Sequence, residues 1–107
     1  MQRYGQIIGL KPDAAAQYDA LHAAVWPEVL ATIRRCNIRN YSIFRFDRTL
    51  FAYFEYVGSD FARDMAAMAA DPKTQEWWKL TEPLQDPLVS RGAGDWWTVM
   101  TEVFHTE

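Results

Sequence analysis

Two side chains that can bind or transfer a proton, Tyr18 and His22, are spaced four residues apart in a segment of helical composition. Residues at this spacing lie on the same face of a helix, so the phenol and the imidazole are predicted neighbours. His22 falls at the edge of an apolar stripe, beside Tyr18 and toward Trp26. A histidine at such a margin can serve as a general acid or base. The alternative is that His22 is an ordinary boundary residue and that Tyr18 belongs to the core.

Adjacent tryptophans form a second candidate group, at Trp77 and Trp78. On a helix the two side chains point about 100° apart, so both do not easily enter one core. One ring could face a cavity, where it would stack on the apolar face of a sugar. The alternative is that one ring fills the core and the other covers an interface.

Two further residues complete the candidate set. Tyr41 could direct a hydroxyl from the sheet toward the first helix, although an aromatic residue in a strand is more often there for packing. Glu28, which follows Trp26-Pro27, could serve as a base, a helix cap or a solvated surface charge.

Other chemistries find little support in the sequence. The histidines are His22 and His105 and the cysteine is Cys36, and no pair has metal-ligand spacing. There is no glycine-rich phosphate loop, and no serine, histidine and aspartate stand out as a catalytic triad. We therefore predict no metal site.

In the first half of the chain, the residue pattern predicts a strand at 3–10, a helical segment at 13–36, and two more strands at 37–47 and 50–57. Pro12 suits the first helical position and Asp13 the first turn. Pro27 either kinks this helix or begins a second one. The second and third strands form a hairpin, and rings on both faces of the third strand favour a central position. The apolar helix stripe is predicted to comprise Ala14, Tyr18, Leu21 and Val25.

In the second half, Ser59 is predicted to cap a helix at 60–70, and Asp71-Pro72 to open a helix at 73–80. A loop of about 15 residues follows, a length often associated with function, and 96–104 is predicted to be the last strand. The length of 107 residues indicates a single domain over 1–107, and the predicted elements follow the order βαββαβ. Its predicted fold is an α+β, ferredoxin-like sandwich with an antiparallel sheet, of the dimeric α/β barrel type.

The chain has more aromatic residues than a small hydrophobic core usually needs. The chain has 107 residues, with five Trp, five Tyr and six Phe, and a ring-lined pocket or subunit interface would use the surplus. A sheet with helices on one face leaves the other bare. We therefore predict a symmetric homodimer in which each sheet covers the other or an exchanged C-terminal segment.

Charge and composition narrow the partners. The net charge is −3 without a long basic cluster, which disfavours nucleic acid. No apolar run approaches the roughly 20 residues of a membrane span, and the first ten residues are too short and polar for a signal peptide. The single Cys36 cannot form an internal disulfide, which fits a cytoplasmic protein.

Over nearly its full length the chain resembles the L-rhamnose mutarotase family. The combination of a Tyr-x-x-x-His-x-x-x-Trp-Pro-Glu string with a later Trp-Trp-Lys is specific, whereas each piece alone is weak. The resemblance rests on these segments: Pro12-Asp13, Tyr18, His22, Trp26-Pro27-Glu28, Asn40-Tyr41-Ser42-Ile43, Trp77-Trp78-Lys79 and Glu102-Val103-Phe104.

This resemblance implies a ferredoxin-like homodimer that interconverts the α and β anomers of a 6-deoxy-L-hexose without a metal or organic cofactor. The residue matching His22 is the proton donor in the family, and those matching Tyr18, Tyr41, Trp77 and Trp78 contact the sugar. Tyr18 is also a candidate for relaying the second proton, in place of a bound water.

The chain departs from the rhamnose-type pattern after Trp78. A Tyr-Met pair and an Asn-Pro-Asp-Asn-Ser-Pro loop are replaced by Lys79-Leu80-Thr81-Glu82-Pro83 and later by Gly94-Asp95-Trp96-Trp97. L-Fucose, which differs from L-rhamnose at carbons 2 and 4, therefore competes with L-rhamnose as the expected substrate. Two rival functions are a cofactor-independent oxygenase-like enzyme of the same fold and a non-catalytic sugar-binding module.

Overall fold

The computed structural model describes all residues, 1–107, as an antiparallel sheet with helices packed on one of its faces. The strands are β1 (Gln2–Leu10), β2 (Ile38–Phe46), β3 (Thr49–Tyr56), β4 (Gln85–Asp86) and β5 (Thr98–Met100). The helices are α1 (Ala15–His22), α2 (Pro27–Arg35), α3 (Phe61–Ala70) and α4 (Pro72–Thr81), and a 3-10 turn covers Glu82–Leu84. None of the helices has the length and apolar character needed to cross a bilayer.

The sheet order is β2-β3-β1, and β4 and β5 both pair with the free edge of β1. The two short strands together take the place of the fourth strand of a ferredoxin-like βαββαβ sandwich, which confirms the predicted fold class. β3 pairs with both β1 and β2, so its predicted central position and the predicted hairpin are correct. The hairpin turns at Asp47-Arg48, where Asp47 has a φ of +51°, a conformation that Asp tolerates better than most residues.

Helices cover one face of the sheet, and the other face is exposed to solvent. Ile8, Leu10 and Leu50 point toward the helices and are fully buried with Tyr18 of α1. On the opposite face Phe44 and Phe46 of β2 are 65% and 73% exposed. The core therefore lies between the sheet and the helices, and the outer face remains uncovered in the single chain.

The start of the first helix was predicted too early. Asp13 has a φ of +64°, outside the helical region, and α1 begins only at Ala15. The Lys11 N–H donates to the Leu84 carbonyl at 2.9 Å, and the Ala14 N–H donates back to the Lys11 carbonyl at 3.2 Å. Pro12 and Asp13 consequently form a turn and do not lie in the first helical turn.

Pro27 begins a second helix and does not kink the first. Trp26 is extended, with φ −62° and ψ 136°, because a residue before proline is sterically pushed out of the helical region. α1 therefore ends at His22, and Val25 of the predicted stripe lies in the connection between the two helices.

Two other predictions are corrected. The N-cap of α3 is Asp60, not Ser59, because the Asp60 carboxylate accepts the Arg63 N–H at 3.1 Å. The predicted last strand at 96–104 contains strand only at Thr98–Met100, since residues 101–107 have no strand partner within the chain. Part of the predicted long loop is ordered as the 3-10 turn and β4.

Candidate active site

The phenol of Tyr18 and the imidazole of His22 stack on each other at the C-terminal end of α1. Their ring centroids lie 4.1 Å apart with an angle of 23° between the planes. Tyr18 is buried and His22 is half-buried, so one side of the imidazole stays accessible. The spacing of four residues predicts this contact, because i and i+4 side chains lie over one another on a helix.

The two nitrogens of the His22 ring have different roles. Nδ1 lies 2.9 Å from the backbone carbonyl oxygen of Tyr18. A carbonyl oxygen only accepts hydrogen bonds, so Nδ1 carries the proton and donates it. Nε2 is therefore the nitrogen left to take a proton in neutral His22 and to give one in the imidazolium.

Trp77 contacts the imidazole, and Trp26 contacts Trp77 in turn. Trp77 of α4 meets His22 edge-on at 5.4 Å, and Trp26 meets Trp77 edge-on at 5.2 Å. Trp77 lies on the buried stripe of α4 together with Thr74 and Thr81. Trp26 reaches the cluster because Pro27 holds its backbone extended.

Trp78 lies outside this ring cluster. It is half-buried, whereas Trp77 is 6% exposed. The two side chains diverge as expected for neighbours on a helix. The structure thus brings Trp77 to His22 and leaves Trp78 on the flank of α4, with no ring contact to His22.

Tyr41 of β2 faces the helices and packs against Phe54 at 5.6 Å between ring centroids. Burial of its hydroxyl, together with the nearby Tyr18 phenol, raises the pKa of Tyr41 to about 12. The residue as a whole is 39% exposed, so its hydroxyl end is desolvated while part of the ring remains accessible. Burial also raises the pKa of Tyr18. Both phenols therefore stay neutral hydrogen-bond donors near neutral pH.

Two residues near Tyr18 were not singled out from the sequence. Gln85 is buried at the start of β4, and its side-chain amide lies 3.4 Å from the Tyr18 hydroxyl. The indole N–H of Trp96 donates to Gln85 Oε1 at 2.7 Å. A glutamine in a loop gives no sequence signal of burial, and only the chain reversal after α4 brings it to Tyr18.

Glu28 is exposed in the first turn of α2. A negative charge at this position interacts favourably with the helix dipole. Of the three predicted roles, Glu28 is therefore best described as a solvated surface charge. No three His, Cys, Asp or Glu side chains come together as a metal-binding group.

The arrangement suits one kind of chemistry. A nitrogen that can exchange a proton lies on an aromatic wall, beside phenols that can donate hydrogen bonds. Aromatic faces bind the apolar face of a sugar, while hydroxyl donors orient its oxygens. These side chains are suited to contact a small polyol and to transfer a proton at one of its oxygens.

Comparison with known proteins gives consistent results. A family model described as L-rhamnose mutarotase matches residues 3–106. The L-rhamnose mutarotase of Oceanobacillus iheyensis is 32% identical over 112 residues, and the match covers 100% of both chains. The L-fucose mutarotase of Xanthomonas campestris is 34% identical over 110 residues, covering 97% of this chain and 87% of the relative.

The fold is also found in a solved structure. The crystal structure of an L-rhamnose mutarotase from Formosa agariphila superposes with a TM-score of 0.78, covering 100% of both chains at 21% sequence identity. At this identity the likeness concerns the fold, which is the ferredoxin-like sandwich described above.

Proposed function

The chain belongs to the L-rhamnose mutarotase family, and we propose that it interconverts the α and β anomers of a 6-deoxy-L-hexose, L-rhamnose or L-fucose. It is a sugar mutarotase and thus an isomerase. Relatives named for each of the two sugars are similar to it at 32% and 34% identity. L-Rhamnose is the first expectation because the family model bears that name.

The reaction opens the pyranose ring and closes it on the other face of the aldehyde. In opening, the ring oxygen gains a proton, the anomeric hydroxyl loses one, and the bond between the anomeric carbon and the ring oxygen breaks. Rotation of the aldehyde and the reverse proton transfers complete the exchange. One acid and one base suffice, and proton transfer of this kind typically contributes about 10²–10⁴-fold in rate.

The observation that carries the proposal is the position of His22 Nε2. Hydrogen bonding through Nδ1 orients the ring and leaves Nε2 available beside Tyr18 and Trp77. We assign the imidazolium Nε2–H of His22 as the acid at the ring oxygen. Tyr18 or a bound water relays the second proton.

The remaining candidates bind the sugar. Tyr41, a neutral phenol near Tyr18, orients a sugar hydroxyl. Trp77 lines the wall next to His22 and excludes bulk water. Trp78 is retained as a sugar contact on the resemblance alone, since its ring lies away from His22.

We also propose that the functional unit is a homodimer. The support is the uncovered outer face of the sheet, where Phe44 and Phe46 are exposed. Next to it an open groove of about 550 Å³ runs between the sheet and the C-terminal segment, lined among others by Tyr53, Met100 and Phe104. A second copy would bury these rings. The cytoplasmic location stays a prediction based on the single thiol of Cys36.

The test is anomer exchange measured by NMR on L-rhamnose, L-fucose and D-glucose in turn. We expect the protein to accelerate α/β exchange for one 6-deoxy-L-sugar and to have little effect on glucose. The preferred sugar identifies the substrate. Binding without faster exchange would instead support a sugar-binding module, and neither binding nor exchange for any sugar would contradict the proposal.

A further inference from the structure

A buried amide lies directly behind the phenol that we place in the site. Gln85 is 5% exposed, although its side chain is polar. A buried amide is costly unless its groups find hydrogen-bond partners. Gln85 has two such partners on different segments, Tyr18 of α1 and Trp96 of the connection before β5.

The identity of these partners fixes the direction of the hydrogen bonds. The indole N–H of Trp96 can only donate, so the atom of Gln85 that faces it at 2.7 Å is the carbonyl oxygen. The amide NH₂ then faces Tyr18, at 3.4 Å from its hydroxyl oxygen. Tyr18 therefore accepts from Gln85, and its own hydroxyl hydrogen is directed to another acceptor.

We propose that Gln85, held by Trp96, is a positioning residue that makes Tyr18 a hydrogen-bond donor to the sugar. This inference rests on the proposed function. The hydroxyl of Tyr18 donates to a sugar oxygen because the opposite direction is occupied by an N–H. The sugar is thereby oriented so that its reacting oxygens meet Nε2 of His22.

The electrostatics of Tyr18 agree with this role. Burial raises the pKa of Tyr18, and the hydrogen bond from Gln85 works in the opposite direction, because it stabilises the phenolate. The phenol stays protonated at neutral pH, and it keeps an N–H partner if it passes its proton on. An apolar residue at position 85 would leave Tyr18 protonated but would offer it no N–H partner.

Gln85→Glu is the most informative variant, since it preserves shape and reverses one hydrogen bond. A carboxylate still accepts from the Trp96 indole, but it can only accept from Tyr18 as well. The Tyr18 hydrogen would then point away from the sugar. At acidic pH the introduced carboxyl is protonated and can donate again, so the original direction returns.

The experiment compares kcat and KM for anomer exchange between about pH 4 and 8, a range that includes the ordinary Glu pKa of about 4.3, after subtraction of the uncatalysed rate. We expect Gln85→Glu to lower kcat about 10-fold or more at pH 8, the scale of one lost hydrogen bond. On acidification, the kcat of this variant should rise again relative to that of wild type. Gln85→Met, which has no donor, should lose activity at every pH. Gln17→Glu, the same exchange on the exposed side of α1, is the control.

Thermal unfolding of each variant separates positioning from folding. If Gln85→Glu does not fold, Gln85→Met and Trp96→Phe test the positioning role instead. Both variants are expected to lower kcat. An active wild type together with folded Gln85 variants of unchanged kcat would overturn this inference alone. A reduced kcat in Gln85→Glu without recovery at low pH would overturn it too. A wild type that does not accelerate exchange would overturn the proposed function and this inference with it.

Discussion

At the scale of single residues, one hydrogen bond decides what His22 can do. The Tyr18 carbonyl holds the Nδ1 proton, so the imidazole can act only through Nε2. Stacking on Tyr18 and the edge-on contact with Trp77 restrict ring rotation. The imidazole is thus oriented before a substrate arrives, which lowers the entropic cost of reaching the reactive geometry.

We predict that His22→Ala lowers the rate of anomer exchange by about 10²-fold or more, because it removes the proton-transfer group. The fold should persist, since His22 is half-buried at the end of α1. NMR exchange spectroscopy and thermal melting measure the two effects. Gln17→Ala on the exposed side of the same helix is the control. Full activity in a normally folded His22→Ala variant would remove His22 from the mechanism.

At the scale of elements, side-chain pairs hold α1 and α3 against the sheet. The Arg45 guanidinium of β2 donates twice to the Asp19 carboxylate of α1, at 2.9 and 2.7 Å. This exposed pair lies one residue from Tyr18 and links β2 to the helix that carries the candidate acid. On α3 the buried Asp64 accepts hydrogen bonds from Tyr56 of β3 and from Asn37. Gly58 is required beside them, because a Cβ there would lie 2.7 Å from Asp64 Oδ2.

The cap of α3 gives a prediction with a matched control. Asp60→Ala should destabilise the protein by about 1 kcal/mol, a typical cost of losing an N-cap acceptor. For a chain of this size the melting temperature would fall by roughly 4–8 °C. Ser59→Ala should leave the melting temperature nearly unchanged, because the Asp60 side chain accepts the Arg63 N–H. Equal losses in the two variants, measured by thermal unfolding, would contradict this assignment.

Asp64 predicts a specific pH dependence of stability. Hydrogen bonds from Tyr56 and Asn37 lower the pKa of Asp64. Between the lowered folded-state pKa and the ordinary value of about 3.9, the unfolded chain binds more protons than the folded one. The contribution of Asp64 to the free energy of unfolding is therefore fully present at pH values above the ordinary Asp pKa. It is lost as the pH falls through the lowered pKa of the folded state.

We accordingly expect Asp64→Asn to lower the melting temperature by several degrees at pH 7. The difference in melting temperature between wild type and Asp64→Asn should narrow as the pH falls below about 3.9. Thermal unfolding over a pH series measures both curves. A gap that stays constant down to the acid limit would show that the charge of Asp64 contributes nothing. Asp95→Asn, at an exposed loop position, controls for the loss of one carboxylate.

At the scale of the whole molecule, the sheet is covered on one side only. The helix side contains the core and the candidate site, whereas the other side exposes rings of β2 and β3. The C-terminal segment 101–107 is exposed and joined to β1 through the ion pair of Arg3 with Glu102 at 2.8 Å. Both features support the proposed homodimer, because a second copy would cover the rings and the segment together.

The dimer leads to a prediction about mass in solution. Phe44→Lys places a charge on the exposed sheet face that forms the proposed interface and should shift the protein toward monomer. Light scattering coupled to size exclusion measures the mass. Leu30→Lys, which charges an exposed apolar position on α2, should leave the mass unchanged. A monomeric wild type, or an unaffected dimer in Phe44→Lys, would contradict this interface.

The features that could be predicted from the sequence are local or periodic in origin. The i, i+4 spacing brings Tyr18 to His22, and the divergence of adjacent helical side chains separates Trp77 from Trp78. Strand alternation turns Tyr41 to the helix side, and the order of elements predicts the ferredoxin-like sandwich. These features follow from backbone geometry that any neighbouring residues would obey.

Contacts between segments far apart in the chain could not be predicted from the sequence and appear only in the folded structure. The Lys11 N–H pairs with the Leu84 carbonyl ahead of α1, and the lack of a strand partner shortens the last strand. Gln85 reaches Tyr18, 67 residues away, and Trp96 reaches Gln85 because β4 and β5 pair with β1. Such contacts depend on how the elements pack, and local composition does not encode them.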